Sequence, residues 1–395
     1  MKEYSSIRLE ITSRCNLKCD YCHNSEFSNR DDDMTTEEIL RLIESIKKKY
    51  PINKILLTGG EPLVQKDVYK IIKKITSLGI KADMVTNGTL ITDEVIKNLE
   101  EAGLSRIRIS IDEVGDSSEK RGSTNPNKLW EVAKNIVNNS EIEVCIHTVC
   151  SPSNVLSLPE VYKKVLEVGA KRWRVFDLGY QGGIDLNKNS FNFDFYYQGI
   201  IESTKQILNH YINNDLQNVL DIEINNIFRT EMLNYEYKDV NIDEALKVRL
   251  LSSPCNYISD HQLTIRSNGK ATLCQYFRNT IFDFAKYHYN ADVTVQNEIY
   301  VHENNLLMKD LNSCSTCKFC LVCNSGCRSR SKYLTCNITD ADPTACYLIP
   351  RIYNEIVPLL PTNTQKVFNS YINKNGHVPK YRREDLLKLL HFKGF

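Results

Sequence analysis

The feature that most constrains the fold of this chain is a regular alternation of short apolar stretches with amphipathic ones over residues 1–180. Six stretches have strand character, and they read SIRLEIT, NKILLTGG, IKADMVTNG, SRIRISID, EIEVCIHTVC and KRWRVFDLG. Amphipathic stretches with helical spacing separate them, and the first begins with a capping box at Thr35 and Glu38. Because parallel neighbouring strands need such crossovers, the pattern predicts an α/β fold with a parallel sheet, either open or curled into a barrel.

Residue types that carry chemistry follow the carboxyl ends of the first four predicted strands. In parallel α/β folds this edge of the sheet holds the functional site. The residues concerned are Cys15, Cys19 and Cys22, then Gly59, Gly60 and Glu61, then Asn87, and finally Ser110 and Asp112. The two glycines lack Cβ atoms, so we expect the backbone there to approach a ligand closely.

The composition is that of an ordinary globular protein. The net charge is +1, and no apolar run approaches the roughly 20 residues that cross a bilayer. Since the N-terminus has no export signal, we expect a cytoplasmic protein with no nucleic-acid and no membrane partner. Fourteen cysteines are many for such a protein, and their clustering in a reducing compartment indicates metal. Cys145 lies in an apolar stretch and is expected to be a buried, inert thiol.

The spacing Cys15-x-x-x-Cys19-x-Tyr21-Cys22 resembles the signature of the radical S-adenosylmethionine enzymes. The resemblance implies a partial (β/α)6 barrel of the TIM type. It also implies a [4Fe–4S] cluster on the three cysteines, whose fourth iron is chelated by the amine and carboxylate of S-adenosylmethionine. The alternative is a structural zinc completed by His23, although adjacent residues rarely both point at one tetrahedral ion.

The same resemblance implies a set of cosubstrate contacts. They come from Tyr21, from Thr58, Gly59, Gly60 and Glu61 of the TGGEP motif, from Asn87, and from Ser110 and Asp112. In the family the glycine-rich motif holds the methionine amine, where Glu61 would supply a negative charge. Ser110 and Asp112 stand where such enzymes contact the ribose.

The second half of the chain resembles the SPASM domain, an extension of some of these enzymes that binds two auxiliary [4Fe–4S] clusters. The resemblance places the first auxiliary cluster on Cys255, Cys274 and Cys327, and the second on Cys314, Cys317, Cys323 and Cys346. The fourth ligand of the first cluster stays open between substrate, solvent, His261 and another cysteine. Cys320 and Cys336 are surplus, and Cys317, Cys320, Cys323 and Cys327 also have a ferredoxin spacing. A pair of zinc ribbons is the alternative for this region.

We therefore expect four regions in the chain. They are a radical S-adenosylmethionine barrel at 1–184, a largely helical connecting segment at 185–250, the auxiliary-cluster domain at 251–350 and a helical tail at 351–395, which includes a basic, leucine-rich helix at 381–392.

The resemblance also implies an activity. A flavodoxin- or ferredoxin-type donor would reduce the first cluster, S-adenosylmethionine would be cleaved to a 5′-deoxyadenosyl radical, and the radical would take a hydrogen atom from substrate. Many relatives with this domain oxidise ribosomally made peptides or crosslink them through C–C or thioether bonds, so a peptide substrate is expected. Because the first strand begins near residue 6, a peptide leader would be bound by a separate protein or by the tail helix.

Two alternative functions remain open at this point. One is a redox or epimerisation reaction on a small metabolite, such as a sugar or cofactor precursor. The other is a non-enzymatic, metal-stabilised binding module or electron carrier. In sulfatase-maturing relatives an aspartate base follows the cysteine that matches Cys274, but here Gln275 stands there. A glutamine cannot accept a proton at neutral pH, so another base such as Tyr276 or Asp177 would have to serve.

Overall fold

The computed structural model describes residues 5–116, 118–178, 193–225, 227–239, 241–255, 262–291, 306–323, 325–372 and 376–377. Its strands are β1 Ser6–Glu10, β2 Lys54–Thr58, β3 Lys81–Thr86, β4 Leu104–Ser110, β5 Glu143–Val149, β6 Arg172–Phe176, β7 Asp221–Ile224, β8 Phe228–Arg229, β9 Gln262–Ile265, β10 Lys270–Thr272 and β11 Phe282–Asp283. Its helices are α1 Thr36–Lys49, α2 Val68–Ser77, α3 Asp93–Glu101, α4 Pro126–Asn139, α5 Leu158–Val168, α6 Phe193–Asn213, α7 Ile242–Leu250, α8 Arg328–Thr335, α9 Pro343–Arg351 and α10 Thr362–Ser370.

The predicted alternation of strands and helices is confirmed. Strands β1 to β6 lie side by side in chain order, and each is parallel to the next. Helices α1 to α5 are the crossovers, and α1 begins at the predicted capping box, in which the Thr35 hydroxyl accepts from the Glu38 backbone N–H. The sequence therefore placed the strand ends correctly.

The two faces of the sheet differ in chemistry. Alternate strand residues such as Leu9, Leu57 and Ile107 are fully buried in the same apolar cluster as the helix residues Ile39 and Ile71. Since successive strand residues point to opposite faces, the helices cover one face of the sheet and drive its formation by apolar burial. The residues between them are largely polar and point to the other, concave face.

The segment at 185–250 contains more than the helical connection that the sequence suggested. Helix α6 packs against the barrel, and β7 then extends the sheet by pairing parallel with β6. The short β8 turns back antiparallel on β7. Residues 185–192 lie outside the described part of the chain.

The cysteine-rich region is built into the same sheet. Its first strand, β9, pairs parallel with β1, and β10 and β11 follow as antiparallel neighbours. The order in the described sheet is therefore β11-β10-β9-β1-β2-β3-β4-β5-β6-β7-β8. The β1 strand, which leads into the cysteine loop, thus lies between the barrel and the C-terminal region.

A buried arginine fixes this junction. Arg266 follows β9 and is 5% exposed. Its guanidinium contacts the Glu10 carboxylate on β1 at 2.8 Å and donates to Asn24 Oδ1 at 2.9 Å and to the backbone oxygen of Gln275 at 2.9 Å. One side chain therefore ties β1, the cysteine loop and the C-terminal region together.

The described part of the tail is helical, as expected: a π-helical turn at Ile352–Ile356 and a 3-10 turn at Val357–Leu359 lie between α9 and α10. The predicted helix at 381–392 lies outside the described residues. Among the helices that are described, none has the length and apolar character needed to cross a bilayer.

Replacing Arg266 with leucine is expected to lower the free energy of unfolding by about 3–5 kcal/mol, because Glu10 would stay buried without its cation. Chemical denaturation of the variant and the parent measures the difference. Lys97→Met is the control, since Lys97 makes an exposed contact with Glu101 and should change stability by less than about 0.5 kcal/mol. Equal effects of the two substitutions would contradict the role given to Arg266.

Candidate functional site

The cysteine loop after β1 is held by backbone hydrogen bonds to the end of β2. The Ile11 N–H donates to the Thr58 oxygen at 3.0 Å, and the Gly60 N–H donates to the Thr12 oxygen at 2.8 Å. The Glu61 N–H continues the series by donating to the Arg14 oxygen at 2.8 Å. Cys15 therefore starts from a backbone position fixed against the glycine-rich motif.

The structure gives the two glycines a different role from the expected one. A Cβ atom at Gly59 would lie 2.1 Å from the Thr12 oxygen, and one at Gly60 would lie 2.2 Å from the Arg14 oxygen. Gly59 also has φ at +141°, a conformation that side chains rarely adopt. The missing Cβ atoms thus admit the backbone of the cysteine loop itself.

Glu61 is buried at the same junction, with 1% of its surface exposed. Its carboxylate accepts from the Thr86 hydroxyl and the Asn87 N–H, both at 2.7 Å, and from the Leu63 N–H at 3.1 Å. Burial raises its pKa, although these donors oppose the shift. The side chain joins the ends of β2 and β3, and a cosubstrate ammonium group would have to share an oxygen already engaged.

Asn87 connects the β3 end to the cysteine loop. Its side-chain amide nitrogen lies 2.9 Å from Asn16 Oδ1 and 4.0 Å from Cys15 Sγ. Asn16 in turn donates to the Thr89 hydroxyl at 2.8 Å. The predicted site residue Asn87 therefore touches the sulfur of one candidate ligand.

The three thiols of the loop form one group. Burial raises the pKa of Cys19 to about 11, and the neighbouring Cys22 and Cys15 add to the rise while Arg121 opposes it. No three His, Cys, Asp or Glu side chains of the described residues are arranged to hold a single metal ion. A cubane cluster needs thiolates on separate irons instead, and three neighbouring cysteines with no described fourth protein ligand fit such a cluster with one open iron.

A buried triad stands behind this group. The Arg121 guanidinium contacts Asp112 Oδ2 at 3.0 Å and the Tyr21 hydroxyl at 3.3 Å, and the Tyr21 hydroxyl donates to the same Asp112 oxygen. The second Asp112 oxygen accepts from the Val149 N–H at 2.7 Å. The structure thus brings the predicted residues Tyr21 and Asp112 together. Both Asp112 oxygens already have protein donors, so a ribose hydroxyl would have to share them.

Sequence reasoning missed Arg121. It lies in the charged stretch EKRG between β4 and α4, where an arginine normally reaches into solvent. In the structure it is 6% exposed, and its charge lowers the pKa of Cys15, Cys19 and Cys22, in each case against the larger effect of burial. Nothing in its local sequence signals this burial.

The remaining predicted cosubstrate contacts lie at the same edge. Ser110 ends β4, is half-buried and is the register partner of His147 on β5. The Thr58 hydroxyl accepts from Arg8 at 3.3 Å. Their contact with a cosubstrate stays a prediction.

The cysteines of the C-terminal region form two further groups of neighbouring thiols. Which of them are cluster ligands stays a prediction, because Cys320 also lies near Cys314 and Cys317. Burial and then Cys327 and Cys255 raise the pKa of Cys274 to about 12. Burial and then Cys314 and Cys317 raise the pKa of Cys323 to about 12. Burial also raises the pKa of Cys346, and Cys323, Cys314 and Cys317 add to the rise. Both thiol sets fit cluster ligation by their donor type and proximity.

The surplus cysteines occupy different positions. Cys320 is buried beside the second group and near Arg249, whereas Cys336 is exposed at the end of α8. Cys145 is buried in β5, as predicted for an inert thiol. His261, a candidate fourth ligand of the first auxiliary cluster, lies outside the described residues.

The two substitute bases differ in their surroundings. Burial raises the pKa of Asp177, although Arg330, Tyr196 and Tyr197 oppose the shift. Asp177 is buried, and its carboxylate accepts from Tyr196 at 2.5 Å, from Tyr197 at 3.3 Å and from Arg330 at 3.0 Å. Arg330 also binds Asp342 at 2.7 Å, so Asp177 joins the barrel to the C-terminal region. Burial raises the pKa of Tyr276 to about 12, which keeps it protonated at neutral pH.

Comparison with known proteins agrees with this geometry. Residues 9–165 match the family model of the Radical SAM superfamily. A probable GTP 3′,8-cyclase of Methanocaldococcus jannaschii is 28% identical over 171 residues, which are 43% of this chain and 57% of the relative. An AdoMet-dependent heme synthase of Methanosarcina barkeri is 30% identical over 176 residues, 44% of this chain and 50% of the relative. The chain spans about half the length of these curated relatives.

Solved structures show the same fold over a longer span. SuiB of Streptococcus suis bound to the precursor peptide SuiA superposes with a TM-score of 0.60 at 15% identity, over 88% of this chain and 76% of that one. The anSMEcpe structure with AdoMet and the Cp18Cys peptide gives a TM-score of 0.64 at 17% identity, over 93% and 99% of the two chains.

Residues 9–165 are therefore a radical S-adenosylmethionine domain, the class of enzyme domain that uses this cosubstrate with a [4Fe–4S] cluster. The chain as a whole has the predicted α/β fold, with a parallel-sheet core followed by a cysteine-rich region as in the SPASM-type structures.

Gly60→Ala is expected to displace the cysteine loop, because the new Cβ would meet the Arg14 oxygen at 2.2 Å. The variant should lose the iron bound at the first cluster, which iron analysis after anaerobic reconstitution measures. Gly79→Ala is the matched control: Gly79 has φ at +69° but no atom within 4 Å of an added Cβ, so it should cost about 1–2 kcal/mol of stability and no iron. Full iron content in Gly60→Ala would contradict the steric argument.

Proposed function

We propose that this protein reductively cleaves S-adenosylmethionine at a cluster bound by Cys15, Cys19 and Cys22. The observation that supports this most is the loop that carries these three thiols, which backbone bonds hold at the carboxyl ends of the parallel strands. A reduced cluster bound there would supply one electron to the sulfonium of S-adenosylmethionine, whose cleavage would yield methionine and a 5′-deoxyadenosyl radical.

The chain's own residues position this chemistry. Glu61 and Asn87 hold the loop from the ends of β2 and β3, and Asn87 stands at the sulfur of Cys15. Arg121 places a buried positive charge beside the thiols, where it offsets the negative charge of the bound thiolates. Asp112 and Tyr21 fix the guanidinium in place.

We further propose two auxiliary [4Fe–4S] clusters, one on Cys255, Cys274 and Cys327 and one on Cys314, Cys317, Cys323 and Cys346. The proximity of the thiols within each group supports this assignment. Once the 5′-deoxyadenosyl radical has taken a hydrogen atom from the substrate, these clusters would accept the one electron that the substrate radical gives up and would pass it outward. A flavodoxin- or ferredoxin-type protein supplies the electron that starts the cycle.

A ribosomally made peptide is the substrate we favour, with C–C or thioether crosslinking or oxidation as the reaction. Two structures with the same fold, SuiB and anSMEcpe, were determined with peptides bound, which supports a barrel that admits a peptide. A separate protein that binds the peptide leader is part of this proposal.

A small-metabolite substrate is the second candidate. The relatives found by sequence include proteins named GTP 3′,8-cyclase and AdoMet-dependent heme synthase. Because they match the barrel half of this chain, they support the shared radical chemistry and leave a nucleotide or cofactor precursor as the alternative.

Cys15→Ala is expected to abolish formation of 5′-deoxyadenosine in the presence of dithionite and S-adenosylmethionine. Iron should fall from about twelve to about eight per chain, because the two auxiliary clusters remain. Chromatography of the nucleoside products and iron analysis measure the two quantities. Cys336→Ser is the control, since this exposed cysteine lies outside the three groups and should leave both values unchanged. Continued cleavage in Cys15→Ala would refute the assignment.

Mass spectrometry of the substrate after turnover separates the two candidates. A candidate precursor peptide that loses two hydrogens has been oxidised or crosslinked. A peptide whose mass is unchanged after turnover in light water, but which takes up deuterium in heavy water, has been epimerised. Turnover of GTP with no change in any peptide would favour the metabolite reaction.

A further inference from the structure

The concave face of the sheet carries a ladder of charged side chains across β3 to β8. Its contacts run from strand to strand with nitrogen–oxygen distances of 2.5–3.1 Å. They are Asp83–Arg108, Arg106–Glu143, Glu143–Arg172, Arg172–Asp221, Asp221–Arg174, Arg174–Glu223 and Glu223–Arg229. Residues paired across parallel strands share a face, so the ladder lines the space that the barrel encloses.

Positive charge exceeds negative charge along this surface. Five arginines alternate with four carboxylates in the ladder. Arg8 and Glu10 of β1 and Lys54 of β2 lie on the same face, as their registers show: Arg8 is paired with Leu56, and Leu56 with Asp83. Glu10 is neutralised by Arg266, so Arg8 and Lys54 add to the positive charge. The excess is unusual for a surface whose charges are otherwise paired, and it favours a negatively charged occupant.

Three of the positively charged side chains of this face act on His147. Burial and then the charges of Arg108, Arg8 and Arg174 lower the pKa of His147 well below its usual value. Arg8 lies on β1, four strands away from His147 on β5, and its charge still contributes to the lowered pKa of the imidazole. Phe176 closes one side, with its ring 4.9 Å from the imidazole.

Two polar atoms at this point are buried without a partner. Within the described residues, neither Nε2 of His147 nor Nε of Arg108 makes a hydrogen bond. A buried polar group without a hydrogen-bond partner costs free energy. A bound anion would accept hydrogen bonds from these two groups and would be attracted by the positive charges around them.

The place is next to the candidate cosubstrate site. His147 is the register partner of Ser110, and its backbone oxygen accepts from the Ile111 N–H at 2.9 Å. Asp112, which belongs to the triad beside the cysteine loop, is the next residue after Ile111. An anion held by His147 would therefore lie at the edge of the sheet where the hydrogen atom is taken.

We propose that the concave face binds an anionic group of the substrate, a carboxylate or a phosphate, between Arg8, Arg108 and His147. The inference rests on the proposed function and adds to it the charge of the substrate. A carboxylate would come from an acidic peptide and a phosphate from a nucleotide, and the binding chemistry is the same for both.

Calorimetry on the reconstituted protein tests this inference, with saturating S-adenosylmethionine and no reductant, so that the cosubstrate's own carboxylate is already bound. The probes are an acetylated, amidated tetraglutamate peptide, the matching tetraglutamine peptide, and GTP. We expect tetraglutamate, GTP or both to bind, with an affinity that falls as salt is added, and tetraglutamine not to bind. Binding of tetraglutamate alone identifies a carboxylate, and binding of GTP alone identifies a phosphate.

Substitutions assign the binding to this place. His147→Gln and Arg108→Gln should each weaken it by about tenfold or more, as loss of a hydrogen bond to a charged group does. Arg229→Gln is the matched control: it removes one positive charge from the same ladder, but at an end where Glu223 and Glu231 hold the guanidinium, and it should change affinity by no more than about twofold. Thermal unfolding checks that each variant is folded, and Arg108→Lys retains the charge if Arg108→Gln does not fold.

The inference would be overturned if neither tetraglutamate nor GTP binds, if tetraglutamine binds equally well, or if Arg229→Gln and His147→Gln have equal effects. Cleavage of S-adenosylmethionine is measured separately with dithionite. If cleavage occurs and no anion binds, the proposed function stands and this inference fails. If an anion binds and no cleavage occurs, the proposed function fails.

Discussion

The structure depends on a close backbone approach between the cysteine loop and the end of β2. Three consecutive hydrogen bonds, from Ile11, Gly60 and Glu61, fix this approach, and it is possible only because Gly59 and Gly60 have no Cβ. Cluster ligands must be placed to within a fraction of an ångström, and a loop of this length would not hold them by itself. The Glu61 carboxylate, which bonds to the ends of β2 and β3, makes the position of the loop a property of the whole sheet.

The C-terminal region completes this support from the other side. Strand β9 pairs with β1, and Arg266 joins Glu10, Asn24 and the chain after β10. On the far side of the barrel, Arg330 links Asp177 at the end of β6 to Asp342 at the start of α9. The cysteine groups of the C-terminal region are therefore held against the barrel by buried ion pairs, whose disruption is costly.

Much of the site was predictable because its residues follow strand ends. The three cysteines, the glycine-rich motif, Asn87, Ser110 and Asp112 all lie at the carboxyl edge, as the alternation of strands and helices required. Cys274 lies near Cys327 and Cys255, and Cys346 lies near Cys323, Cys314 and Cys317, but Cys320 lies near the second set as well, so the two ligand sets stay predictions. Arg121 and His147 were missed, because a charged loop and a strand histidine carry no local mark of burial. Glu61 and Asp112 were expected to face a ligand, and both have their oxygens engaged by protein donors.

The sequence by itself determined the order of the elements, the edge of the sheet at which the site lies and the residue types available there. These follow from hydrophobic periodicity and spacing, which are local properties of a chain. Only the tertiary structure decided that the glycines admit the cysteine loop, that β9 joins the sheet beside β1, and that the charge of Arg8 acts on the pKa of His147. Those contacts join residues far apart in the chain, and the closure and packing of the sheet bring them together.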